Sequence, residues 1–387
     1  MGYVASRVTH HRDSQLIHLV GLRAFGTNAP YERISKRKHV WPRILRGQIM
    51  IEDRVDWIAE GEKYAFVGLS VKLEQNVPMR LIAPRLWVVN GPHLQVPSHW
   101  KEWLGTIRAE EVEAANLFLL SKINSERPED LDGENKSLQH LVSLFYVGLL
   151  LASTFSTAHK PVVITGSCRN GEVDIRQQGD LEIPVPRQFR PYPVLTAEDI
   201  ETGARIAGKI RTIEEAPPPG GHWRFFRVLR LYQETRTTPD ILERLHQYSR
   251  CIDGLILPRA GQTKSQFKSR TELFIGPLHH DLMGEIYEVR SAVEHLHENK
   301  YLEGFNREVR LDLLEKEAII EHMARTLIGR IVENPALWRH FANTTSLGAF
   351  WSLPDTERKK IWGEPIDPMA ALAGYEPKYI HNGMLGG

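Results

Sequence analysis

The stretch Ile286-Tyr-Glu-Val-Arg-Ser-Ala-Val-Glu-His295 lies inside a run of helical periodicity that decides the character of the second half of the chain. The spacing predicts a helix over residues 281–298. Helices of the same 3.6-residue period are predicted upstream over 223–235, 239–257 and 262–275, and downstream over 307–334. Residues 336–387 read as a looser helical tail with two or three short helices. Upstream, Pro217-Pro-Pro-Gly-Gly221 is the sharpest break in the sequence. Before it, Thr196-Ala-Glu-Asp opens one more helix, with a plausible N-cap and acids in the first turn.

Further out, the pattern changes. Residues 64–71 (YAFVGLSV) and 80–90 (RLIAPRLWVVN) read as strands. Pro42, Pro78, Pro84, Pro92 and Pro97 interrupt any long helix there. Residues 108–125, rich in Ala, Glu and Leu, read as a helix, and residues 137–157 as a second, well-buried one. Strand character returns at 161–165 (PVVIT), with a turn at 167–171. The proline-rich stretch 181–193 reads as an extended connector. The expected fold class is therefore α+β: a mixed α/β region over residues 1–193, an all-helical bundle over 194–335, and the tail.

Composition narrows the class. Forty-nine Lys and Arg face forty-eight Asp and Glu in 387 residues, a net charge of +1. A nucleic-acid binder of this kind must concentrate its positive charge locally. The two cysteines, Cys168 and Cys251, have no C-x-x-C spacing, so neither a disulfide framework nor a zinc knuckle is expected, in keeping with a reducing cytoplasm. The most apolar stretch, 141–155, is about fifteen residues against roughly twenty needed to cross a bilayer, and residues 1–12 hold no apolar run of signal type. No glycine-rich phosphate loop and no G-x-S-x-G is present. No cofactor and no metal are expected. His279-His280-Asp281 holds the His-Asp pair of HD-type phosphohydrolases, but reads more simply as the start of the helix that carries Arg290.

Two basic features suit a phosphate backbone. Residues 33–46 (RISKRKHVWPRILR) gather six Lys or Arg around Lys36, Arg37 and Lys38, with His39 and Trp41 among them. A solvated loop or strand is the plain alternative. Arg224, Arg227 and Arg230 share one helix face, as an RNA-facing stripe or as partners of Glu234 and Glu243.

Residues 241–301 resemble the HEPN superfamily, especially the bacterial branch of abortive-infection and antiphage proteins. Three segments carry the likeness: 248–257 (YSRCIDGLIL), an apolar helix with an acid; 267–274 (FKSRTELF), with Arg270 where the family often has an arginine; and 286–295 (IYEVRSAVEH), similar to its Tyr-x-x-Arg-Ser-x-x-x-His helix. The resemblance implies a helical bundle that dimerises, two copies of an R-x4-H motif facing each other in one composite site, and RNA cleavage without a metal.

In that chemistry the 2′-hydroxyl of the RNA is the nucleophile. Arginine suits the phosphate, being always charged and able to donate two parallel hydrogen bonds. Histidine suits proton transfer, with an unperturbed pKa of about 6.5. By this analogy Arg290 binds phosphate and His295 moves protons. On an isolated helix His295 lies roughly 140° around from Arg290, whereas His297 lies only about 20° away, on the face shared with Glu294. His295 ranks first and His297 stays open. Ser291 is placed to orient phosphate or histidine, and Arg270 joins the RNA-binding set. The expectation is a cytoplasmic, homodimeric endoribonuclease of antiphage defence or growth arrest, its N-terminal region sensing, targeting or restraining, and its regulation coming from a ligand, a protein partner or assembly. The competing class is a non-catalytic dimerisation or RNA-binding module.

Overall fold

The computed structural model describes residues 55–185, 194–218, 220–295 and 307–374. Strand β1 (Glu62–Leu69) shows why a sheet forms. Its Tyr64 and Phe66 face an aromatic cluster with Trp57, Trp100 and Phe118, while Ala65, Val67 and Leu69 face the main core. Strict alternation with both faces apolar suits a central strand covered on both sides. The chain continues through β2 (Arg80–Ala83), β3 (Leu86–Asn90), α1 (Trp100–Leu104), α2 (Thr106–Glu113), β4 (Leu117–Asn124), α3 (Gly133–Ala152), β5 (Val162–Arg169), β6 (Glu172–Val173) and β7 (Gln177–Asp180). The seven strands run in the order β2-β3-β4-β1-β5-β6, with β7 also on β5. Every strand pair is antiparallel.

Three local expectations are corrected. Residues 80–90 form a hairpin rather than one strand, turning at Arg85 with φ 64°. The helix expected over 108–125 stops at Glu113, and Leu117–Asn124 is a strand between β1 and β3. Its apolar run fits either structure locally, and the open ladder positions beside β1 decide it. The turn expected at 167–171 is narrower: β5 runs to Arg169, and Asn170 and Gly171, at φ 54° and 74°, make the hairpin bend.

The second half is helical: α4 (Ala197–Glu215), α5 (Trp223–Arg236), α6 (Ile241–Ile256), α7 (Thr263–Ile275), α8 (His280–Glu294), α9 (Arg307–Glu333), α10 (Pro335–Phe341), α11 (Thr344–Ser352) and α12 (Asp355–Trp362), followed by a 3-10 turn at Pro368–Leu372. The chain is thus of α+β class. Helix α4 starts as its sequence says, with Thr196 and Asp199 bonding each other's backbone N–H in a capping box. The tail is tighter than expected. Leu337, Phe341, Leu347, Phe350 and Trp362 are all buried in the main core.

Helix α3 joins the two halves. Most of its residues are buried, with β1, β4 and β5 on one side and α4 and α9 on the other. Its apolar stretch is therefore covered by protein, and among the described residues no helix is long and apolar enough to cross a membrane. The α3–α4 crossing is close because both helices have glycine there: a Cβ at Gly148 would stand 2.0 Å from the Gly203 carbonyl oxygen. One apolar cluster runs from Ala65 to Ala371, so the core is continuous across the boundary expected near residue 193.

Buried charges pin these layers. Lys63 on β1, fully buried, reaches Asp132 at 3.0 Å and Glu134 at 2.9 Å, at the start of α3. Within the helices, Arg236 lies 3.4 Å from Glu321, which also accepts from the Tyr232 hydroxyl at 2.9 Å. Arg244 donates to Glu317 at 2.8 Å.

Candidate functional site

Helix α8 buries Met283, Ile286 and Val289. That packing turns Arg290, next after Val289, toward α6. Its Nη2 lies 2.9 Å from the Asp253 carboxylate, and its Nη1 lies 2.8 Å from Glu294, one turn further along α8. The guanidinium also sits over the Tyr287 ring, 5.2 Å from its centre. Only 11% of the Arg290 side chain and 14% of the Asp253 side chain are exposed, whereas Glu294 is 42% exposed. The brace therefore has a buried half and an open half.

Asp253 is under strain of charge. Burial pushes its carboxyl up to about 6, against the pull of Arg290, with Glu294 adding to the rise. Its Oδ1 and the Arg290 Nε are buried without a hydrogen-bond partner. On the same side of α6, seven residues before Asp253, lies His246, both of whose ring nitrogens are buried without a hydrogen-bond partner. Burial lowers its pKa, Arg290 and Arg250 lower it further, and Glu243 and Glu294 oppose them. A neutral imidazole thus shares the electrostatic neighbourhood of Arg290.

The predicted motif residues fall at the end of α8. Ser291 is half-buried, and its carbonyl accepts from the His295 N–H at 3.1 Å. The helix expected to run to residue 298 ends at Glu294, and His295, with φ −92° and ψ 6°, is an exposed C-cap. The N–H bond to Ser291 still ties His295 to the last turn, so its helical-wheel separation from Arg290 holds, and the helix supplies no such placement beyond it. His297 lies outside the described residues, as do Lys36, Arg37, Lys38 and the rest of 33–46.

The other predicted cations have separate positions. Arg270 donates through Nη1 to the carbonyls of Ile256 and Leu257, at 2.5 and 2.7 Å, closing the end of α6, where Leu257 takes φ 51°. It is a helix-terminating anchor, a role the resemblance did not indicate. On α5, Arg224 is half-buried over Trp223 while Arg227 and Arg230 are exposed. Arg230 pairs with Glu234 at 2.8 Å, as the plain alternative had it, but Glu243 lies instead 3.9 Å from His246. His280 bonds Glu272, and Asp281 pairs with Lys268 at 3.3 Å in the first turn of α8. Among the described residues, no group of three His, Cys, Asp or Glu could hold a metal ion.

Sequence reasoning did not single out Asp253 or His246 as site residues. The available signal was their seven-residue spacing, which puts both on one side of the amphipathic helix α6. What it lacked was the helix that faces them. Compared with known proteins, the chain matches no family model, no curated protein and no solved structure.

Proposed function

We propose that this chain is a metal-independent endoribonuclease of HEPN type, acting as a homodimer in the cytoplasm in antiphage defence or growth arrest. The observation that carries the reading is the Asp253–Arg290–Glu294 brace at 2.9 and 2.8 Å, five residues ahead of an exposed histidine. Asp253, buried, keeps hold of the guanidinium. Glu294, half in solvent, yields its place to an RNA phosphate, for which arginine is the better bidentate partner. A histidine, His295 or His297, takes the 2′-hydroxyl proton as that oxygen attacks phosphorus. The P–O5′ bond breaks and a second histidine protonates the leaving oxygen, giving a 2′,3′-cyclic phosphate and a 5′-hydroxyl. The dimer supplies two copies of each group, and Arg290 meets the charge that builds on the phosphoryl oxygens. Control would come from the N-terminal region, a ligand or a protein partner.

A second reading has its own support. Two carboxylates within 3 Å already neutralise Arg290, as in a purely structural helix clamp. RNA cleavage in EDTA separates the two, comparing wild type with Arg290→Ala, His295→Ala and His297→Ala. Loss of cutting in Arg290→Ala and in one histidine variant supports the nuclease and names its proton carrier. Equal cutting by all variants makes the motif structural and moves the search for the activity to the N-terminal half, and an inert wild type tested with candidate inducers leaves the non-catalytic module.

A further inference from the structure

A concave site lies on α7 and α12 and includes neither Arg290 nor His295 in its lining. Its volume is about 840 Å³, within the range of small-molecule sites, roughly 300–1,000 Å³. Arg270 and Arg358 line it from opposite elements, both packed on Trp351, with guanidinium carbons 5.0 and 5.5 Å from the ring centre. Each arginine is fixed by the same device. Arg270 gives Nη1 to the carbonyls of Ile256 and Leu257, and Arg358 gives Nη1 to those of Trp351 and Leu353. Arg358 spends its Nη2 on Asp355 at 3.3 Å, while the Nη2 and Nε of Arg270 are left for another acceptor. The Arg358 Nε is buried without a partner, and Arg270 has no carboxylate partner among the described residues.

Three carboxylates line the cavity against Arg270, Arg358, Lys359 and Lys360, and two of the three, Asp355 and Glu272, are already paired, while Glu364 offsets part of the charge. Asp355 serves Arg358 at 3.3 Å and Lys359 at 2.7 Å, and Glu272 serves His280. Lys360, exposed at the rim, is not paired with a carboxylate among the described residues. Positive charge therefore converges on the cavity without full compensation. Burial, and after it the charges of Arg259 and Arg358, lowers the Arg270 pKa. Pre-fixed arginines with free donors are the usual means of taking up phosphate.

We propose that this cavity binds a phosphate-bearing small molecule of mononucleotide size, with Arg270 and Arg358 as its fixed donors and Lys359 and Lys360 reaching in from the rim. The site stands apart from the ribonuclease reading, and neither depends on the other. The test is calorimetric titration of the full chain with ATP, inorganic tripolyphosphate and adenosine, using wild type, a Lys359→Glu/Lys360→Glu double variant, and Arg358→Lys. The two lysines are exposed, so the double variant is expected to melt as wild type does. Binding of ATP, no binding of adenosine, and an affinity about tenfold or more weaker in the double variant support the site. Arg358→Lys keeps the charge and loses the fork, and also weakens binding. Tripolyphosphate binding as tightly as ATP makes the phosphate chain the recognised group, and weaker binding shows that the nucleoside contributes. No binding of either polyphosphate at millimolar concentration overturns the proposal. So does binding that the double variant leaves unchanged.

Discussion

Asp253→Asn tests whether the brace on Arg290 costs the fold stability. In the folded chain the carboxyl stands at about 6, against an ordinary value of 3.8. Below pH 3.8 it is protonated in both states and contributes no difference. Between 3.8 and 6 the unfolded chain has released this proton while the folded chain still holds it, so stability falls as pH rises. Above 6 the loss is complete, at about 1.4 kcal/mol per pH unit of separation, or about 3 kcal/mol. That figure already includes the attraction of Arg290. Asparagine mimics the protonated acid. The variant should therefore match wild type near pH 4 and exceed it at pH 7.5, the gap widening by about 2–3 kcal/mol. Urea denaturation followed by far-UV circular dichroism at both pH values reads this directly. If asparagine is equally stable or less stable at pH 7.5, the ion pair outweighs burial and the reasoning is wrong. In the nuclease reading the same variant also loses cleavage, because Arg290 is no longer held. A gain in stability with a loss of activity is the pattern of a group kept for function.

Gly148→Ala should lose about 3 kcal/mol or more, since its Cβ would meet the Gly203 carbonyl oxygen at 2.0 Å. Gly208→Ala, on the exposed side of α4 with open space around it, should instead gain about 1 kcal/mol. Thermal melts of the two glycine variants should move in opposite directions, and a stable Gly148→Ala would mean that α3 and α4 can part without cost. Arg236→Met should lose about 3–5 kcal/mol in chemical denaturation, because it strips a buried partner from Glu321. A loss under about 1 kcal/mol would show that Arg325 and Tyr232 suffice for that carboxylate.

Local signals were enough wherever a segment could satisfy its own backbone. Helix α4 begins, and helices α5 to α9 begin and end, within a few residues of where period and caps place them, because helical hydrogen bonds are local and an amphipathic face is written in the spacing. The strand Leu117–Asn124 was misread as helix because its backbone bonds lie on β1 and β3, which are distant in the chain. The same limit governed the site. Arg290, Ser291 and His295 were visible as a motif on one segment. The partner that fixes Arg290 was not, since Asp253 lies on another helix and only the packing of α6 on α8 brings the two charges to 2.9 Å. Nor could the sequence say that Arg270 closes α6, a role created by Leu257 entering the left-handed region beside it. The sequence by itself determined the α+β division, the order of the helices in the second half and the candidate motif, all properties of residues near one another along the chain. Tertiary structure alone decided the strand order, the continuous core through α3, and which charges are buried against which. Those depend on contacts that no local pattern encodes.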